Sequence, residues 1–157
     1  MARQVSSCLV RKMKRPVIAI LTLTLILSIT LILTMFPFGN AAEPTKDTLP
    51  QVESNLTQKK AVLVDVREPE ETDEGYIEGA VLVPLSLLAQ SRDAEGFGDA
   101  LAEQIPPETI VYTYCKAGVR SATAADILAK FKYDVRALPH GYDDLVAAGF
   151  TPAKSKK

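Results

Sequence analysis

The chain, 157 residues long, predicts an α/β domain in which helices flank a central, mainly parallel sheet. Three observations carry that expectation. Residues 61–66, 79–83 and 109–114 are short runs dense in Val, Ile, Leu and Tyr, as strands buried on both faces are. Segments with helical patterning alternate with them, the arrangement of strand–helix–strand units. The length suits one globular domain, and no internal repeat appears.

The elements follow in order. Arg3, Arg11, Lys12, Lys14 and Arg15 precede an uncharged apolar run that reaches Phe36, where Pro37 and Gly39 break it. Gly39 and Ala41 then stand at −3 and −1 of an export signal cut after Ala41. The run is also as long as the ~20 apolar residues that span a bilayer, so an uncleaved N-terminal anchor is the alternative. Both readings leave the basic end in the cytoplasm and export the rest. Residues 42–53, polar and containing Pro44 and Pro50, read as a linker, and the domain is expected over 54–152. A strand at 61–66 leads to a helical turn at 70–74, then to a strand at 79–83 closed by Pro84. A helix at 85–89 and another at 100–104 flank a loop around Gly96 and Gly98, and Pro106-Pro107 ends the second. After the strand at 109–114, Ser121 is placed to cap a helix over 122–130 with Ala124, Ile127 and Leu128 on one apolar face. A strand at 135–138, a helix at 143–148 and a basic tail at 153–157 complete the chain.

Charge narrows the function classes. Of 18 basic and 19 acidic residues, five basic ones precede Glu43 and every acidic one lies at Glu43 or later. The part from Glu43 onward therefore has 13 basic against 19 acidic residues, a net of −6. Such a domain does not attract nucleic acid. The two cysteines are Cys8, before the apolar run, and Cys115. Removal of the signal would leave Cys115 as the only thiol, with no intrachain disulfide possible. An unpaired thiol in an oxidising compartment points to a function for it.

The chemistry is concentrated in Tyr114-Cys115-Lys116-Ala117-Gly118-Val119-Arg120-Ser121, a loop between a strand and a helix. The carboxyl end of a parallel strand is where α/β sheets place their sites. Backbone N–H groups of the turn, backed by a helix N-terminus, favour a thiolate and would equally hold an anion or a persulfide. Gly118 lets the backbone turn close to that charge. Lys116 and Arg120 are the cations at hand for a bound anion, Arg120 alternatively bracing the loop against an acidic side chain. Asp65 and Arg67, two apart on a strand end, share a face and read as an ion pair or loop clamp; Glu70 reads as a helix-start residue.

These residues resemble the single-domain rhodanese family. Leu63-Val64-Asp65-Val66-Arg67-Glu68-Pro69-Glu70, Gly75-Tyr76-Ile77-Glu78-Gly79-Ala80 and Cys115-Lys116-Ala117-Gly118-Val119-Arg120-Ser121 match its patterns D-V-R-x-x-x-E, G-H-I-x-G-A and C-x-x-G-x-R-S in order. The match covers about residues 54–152, and the exported form is similar to the small periplasmic rhodaneses of the bacterial phage-shock response. The resemblance implies a three-layer α/β domain and a thiosulfate sulfurtransferase in which Cys115 is the nucleophile. Residues Lys116, Ala117, Gly118, Val119 and Arg120 would form the anion-binding loop, with Asp65 and Arg67 in support. It implies a small sulfane-sulfur donor and a thiophilic acceptor such as cyanide or a thiol, with no metal and no other cofactor. Membrane contact would come only through an uncleaved anchor, at the outer face of the inner membrane or in the periplasm. Departures are Tyr76 at the family's His position, and His140-Gly141-Tyr142-Asp143-Asp144-Leu145 where relatives read G-G-x-x-x-W. His140, the only histidine, reads as a surface-loop residue.

Two rivals use the same residues. A phosphatase-type loop has five residues between Cys and Arg, whereas Lys116, Ala117, Gly118 and Val119 are four, a ring that suits a sulfur atom better than a phosphate. A non-enzymatic persulfide carrier, or a module that binds a partner or senses redox state, is the other alternative.

Overall fold

The computed structural model describes residues 44–154. The expected signal or anchor at 1–41, with Cys8, lies outside the described residues, as do the last three residues of the basic tail. Among the described residues no helix is long and apolar enough to cross a membrane.

Strands β1 (Ala61–Asp65) and β4 (Ile110–Cys115) run parallel, from Ala61 beside Ile110 to Asp65 beside Tyr114. The short β3 (Val81–Leu82) adds parallel to β1, and β5 (Asp134–Gly141) adds parallel to β4. The sheet order is thus β3-β1-β4-β5, and every pair in it is parallel. Alternation along the strands assigns side chains to two faces. Val64, Val66, Val111 and Cys115 pack with Leu88, Leu101, Ala124, Ile127 and Leu128. The other face carries Leu63, Tyr112 and Tyr114 against Val52, Leu138, Leu145 and Phe150. Both faces are covered, which is why the strands read as near-continuous apolar runs.

The helices are α1 (Leu49–Thr57), α2 (Pro69–Glu74), α3 (Leu85–Ser91), α4 (Phe97–Gln104), α5 (Val119–Ala129) and α6 (Tyr142–Ala147). Two two-residue strands, β2 (Tyr76–Ile77) and β6 (Pro152–Ala153), pair antiparallel apart from the main sheet.

Four expectations need correction. Residues 42–53 are not simply a linker, because α1 begins inside the stretch, at Leu49, and Val52 is fully buried. Pro50 starts this helix instead of breaking it, since the first turn needs no intrahelical N–H donor there. Upstream of it, the Thr45 N–H donates to Ala137 O (2.8 Å), and Asp47 accepts from Tyr112 Oη (2.6 Å) and Arg136 (2.7 Å). The folded unit therefore starts before residue 54. Ala153, placed in the tail, belongs to β6. The expected strand at 79–83 shrinks to Val81–Leu82. His140 lies on β5, not in a loop.

Candidate active site

Cys115 ends β4 and is only 1% exposed, in one apolar cluster with Val64, Val66, Val83 and Leu88. The chain then turns through Lys116, Ala117 and Gly118 into α5, leaving Lys116 and Ala117 exposed. Gly118 is the helix N-cap at φ +81°, in the left-handed region, and a Cβ there would lie 2.5 Å from Pro139 O. Both facts call for glycine. Helix α5 begins at Val119, so its first N–H groups, which have no intrahelical acceptor, belong to the same turn as Cys115.

Ser121 is not the cap. It sits inside the first turn of α5, fully buried, and its hydroxyl lies 2.6 Å from Gly118 O and 2.9 Å from Leu138 O. Its carbonyl accepts from Thr113 Oγ1 (3.0 Å). The side chain thus ties the loop to β5, while its backbone is tied to β4.

Arg120 is committed to Glu71. Nη1 and Nη2 donate to the two carboxylate oxygens at 2.5 and 2.8 Å, a bidentate pair joining α5 to α2. Of the two roles open to Arg120, bracing the loop is the one the geometry shows. The Glu71 carboxyl is held down to about 2 by the Arg120 fork, against burial and with help from the Glu68 N–H. Arg120 is raised in turn, first by Glu71 and also by the neighbouring Cys115. Because the folded form depresses this acid below its ordinary 4.5, the pair's contribution is complete above pH 4.5 and fades as pH falls toward 2. Wild-type protein should lose about 1–2 kcal/mol more stability than Glu71→Gln between pH 6 and pH 3, the pair being partly screened by solvent. Urea unfolding at both pH values measures this; identical losses would dismiss the coupling.

Asp65 and Arg67 form the expected pair, buried at 0% and 5% exposure. Arg67 Nε and Nη2 donate to the carboxylate (2.7–3.1 Å), the Arg67 N–H donates to Oδ1, and Nη2 also reaches Gly75 O at 2.7 Å. Burial pulls the guanidinium down, but Asp65 outweighs it and leaves Arg67 above its ordinary value. The guanidinium carbon lies 4.3 Å from the centre of the Tyr142 ring. Tyr114, buried and beside Asp65, is pushed well up, so it stays a neutral phenol; its oxygen accepts from the Ile77 N–H (3.0 Å). Asp65 and Arg67 therefore clamp β1 to the segment that carries Gly75.

A cleft of about 290 Å³ opens beside the loop, lined by Arg67, Glu71, Glu74, Gly75, Lys116, Tyr142 and Asp143. The structure thus brings Lys116, Arg67 and Glu71, the partner of Arg120, to one cleft beside the loop that follows Cys115; Cys115 itself is not among the residues lining it, and Val119 is 77% exposed. Three contributors were missed in the sequence. Glu71, not Glu70, is the last position of D-V-R-x-x-x-E, so the motif's own count could have found it. Gly141 keeps the second glycine of G-G-x-x-x-W, which could have marked it, whereas Tyr142 carried no local signal because its role comes from a contact across the fold. Gly141 faces Lys116 O so closely that a Cβ would lie 1.9 Å from it. His140, next to it, has a buried Nδ1 with no hydrogen-bond partner among the described residues. Those residues hold no His/Cys/Asp/Glu group suited to a metal ion.

The model of the rhodanese-like domain matches residues 48–148. An uncharacterized protein of Bacillus subtilis is 40% identical over 83 residues, covering 53% of this chain and 58% of the relative. A putative mitochondrial thiosulfate sulfurtransferase of Schizosaccharomyces pombe is 40% identical over 78 residues, 48% of this chain and 55% of the relative. The chain thus spans little more than half the length of these curated relatives. Among solved structures, the human single-domain sulfurtransferase superposes with a TM-score of 0.55 at 26% identity, covering 69% of this chain and 97% of that one. A single-domain sulfurtransferase of Saccharomyces cerevisiae shares the fold, with a TM-score of 0.55 at 21% identity over 70% of this chain and 94% of that one.

Proposed function

The chain belongs to the rhodanese-like domain family, whose model matches residues 48–148, and from that premise we propose that it is a sulfurtransferase carrying sulfane sulfur on Cys115. The observation behind this reading is Cys115 at the carboxyl end of β4, under a four-residue turn that Arg120 and Glu71 lock to α2. Relatives named as sulfurtransferases support it.

In the first half-reaction the Cys115 thiolate attacks the outer sulfur of thiosulfate. A new S–S bond forms, the donor's own S–S bond breaks, and sulfite leaves with the electron pair. The persulfide anion then lies where the first N–H groups of α5 and the turn can stabilise it. In the second half-reaction a thiophile such as cyanide attacks the outer sulfur, and the electron pair returns to Cys115. Lys116, exposed and without an ion-pair partner among the described residues, is the cation available to the donor's sulfonate; Arg67 and Arg120 are already paired. Arg67 and Asp65 act as supports.

We also propose that the domain works outside the cytoplasm, in the periplasm or tethered to the outer face of the inner membrane. The basic start, the apolar run and Gly39-Asn40-Ala41 support this. Intact-mass measurement of protein purified from cells tests both proposals. A chain starting at Ala42 indicates signal cleavage, and a full-length chain in the membrane fraction indicates the anchor; full-length protein in the cytosol would refute export. Thiosulfate treatment should add one sulfur, about 32 Da, mapping to Cys115. No sulfur adduct on Cys115 would refute the sulfurtransferase reading.

A further inference from the structure

The charges around the cleft do not cancel. Arg67 is committed to buried Asp65, and Glu71 to Arg120. Glu74, at the end of α2, and Asp143, in the first turn of α6, are exposed, and their side chains take part in no ion pair or hydrogen bond among the described residues; the same is true of the Lys116 side chain. The cleft therefore offers two free carboxylates on its flanks and one ammonium beside the nucleophile's loop. Its volume of about 290 Å³ is at the small end of ligand pockets. The 1% exposure of Cys115 further restricts the approach to a slender molecule.

We propose that the acceptor side of this site selects a low-molecular-weight thiol bearing an ammonium group, an aminothiol, over neutral and anionic thiols. The inference rests on the sulfurtransferase reading above. The acceptor's thiolate is drawn toward Lys116 and the N-terminus of α5, and its ammonium lies toward Glu74 and Asp143. That thiolate attacks the outer sulfur of the Cys115 persulfide after the persulfide anion has taken up a proton from water. A new S–S bond forms to the acceptor, and the Cys115 S–S bond breaks with its electron pair passing to Cys115. The proton leaves on the product persulfide. Glu74 and Asp143 are specificity determinants here and touch no reacting atom.

The test uses protein already loaded with sulfur and follows a single turnover with three small thiols: cysteamine, 2-mercaptoethanol and mercaptoacetate. Rates are expressed per thiolate present, so that the acceptors' differing acidities do not enter. At low salt, cysteamine should discharge the persulfide about fivefold faster than 2-mercaptoethanol, with mercaptoacetate slower by a similar factor, and 0.5 M salt should compress the series. In Glu74→Gln/Asp143→Asn the spread between adjacent thiols should fall to within about twofold. Glu53→Gln/Glu103→Gln, which removes the same charge on α1 and α4, should keep it. An unchanged spread in the cleft variant, an equal loss in the distant one, or mercaptoacetate as the fastest acceptor would overturn the inference alone. Wild-type protein that takes up no sulfur at Cys115 would overturn the sulfurtransferase reading and this inference with it.

Discussion

Cys115→Ser is expected to transfer no sulfur from thiosulfate to cyanide above the rate without protein, while remaining folded. The loss follows from chemistry. A serine hydroxyl is not ionised near neutral pH and forms no persulfide, so neither half-reaction has its nucleophile. The fold should survive because the change is small, though Cys115 is 1% exposed within an apolar cluster and a hydroxyl there needs a partner. A stability loss of about 1–2 kcal/mol is the expected consequence. Cys115→Ala, which buries no polar atom, serves as the companion variant and should be just as inactive. Steady-state thiocyanate formation and thermal unfolding, read together, separate lost chemistry from lost structure. Turnover in either variant at the wild-type rate would remove Cys115 from the reaction. A wild type that loads sulfur but turns over barely faster than the variants would instead mark a persulfide carrier.

β1, β4, β5, the later helices and the cysteine loop were legible because their signals are local, whereas the two-residue β2 and β6 were not read. β1 and β4 stand within a residue of the expected runs, since burial on both faces leaves uninterrupted apolar sequence. The Asp65–Arg67 pair was legible from period-2 spacing alone. What escaped depends on distant partners. Residues 42–53 looked like a tether because prolines and polar side chains dominate, and contacts with distant residues reveal that 45–53 are folded, among them the buried Val52 and the Asp47–Tyr112 bond across 65 residues. The role of Ser121 could not be read from its position after the loop. Gly118, able to adopt the left-handed conformation, takes the N-cap three residues earlier and moves the helix start with it. Arg120 offered two readings that no spacing could separate, because Glu71 lies 49 residues away. Local chemistry writes itself into sequence; cross-strand clamps do not.

Gly141→Ala is the substitution outside the nucleophile with the largest expected effect. Its backbone, at φ −84°, suits any residue, so the constraint is one of space. A Cβ at position 141 would lie 1.9 Å from Lys116 O and 2.7 Å from Lys116 C, against 3.4 Å for ordinary contact. Neither atom belongs to a flexible side chain that could step aside. The Gly141 N–H is fixed to Asp144 Oδ2 (2.9 Å), and β5 pairs with Cys115 at this very point, so the end of β5 yields poorly. The Lys116–Ala117 peptide must move instead, by roughly 1 Å or more, carrying the turn after Cys115 away from its sulfur. Misplacement on that scale lowers kcat/KM by about 10²-fold, and overpacking removes about 1–3 kcal/mol of stability. Gly98→Ala on α4 is the matched comparison. There the new methyl meets only the Phe131 ring edge at 3.2 Å, and the gain in helix propensity offsets the squeeze. Sulfur transfer and unfolding should be near wild type in Gly98→Ala and both impaired in Gly141→Ala. Normal kcat/KM in Gly141→Ala would show that the turn tolerates displacement from β5, and that Ser121 and the Arg120–Glu71 pair alone hold it in place.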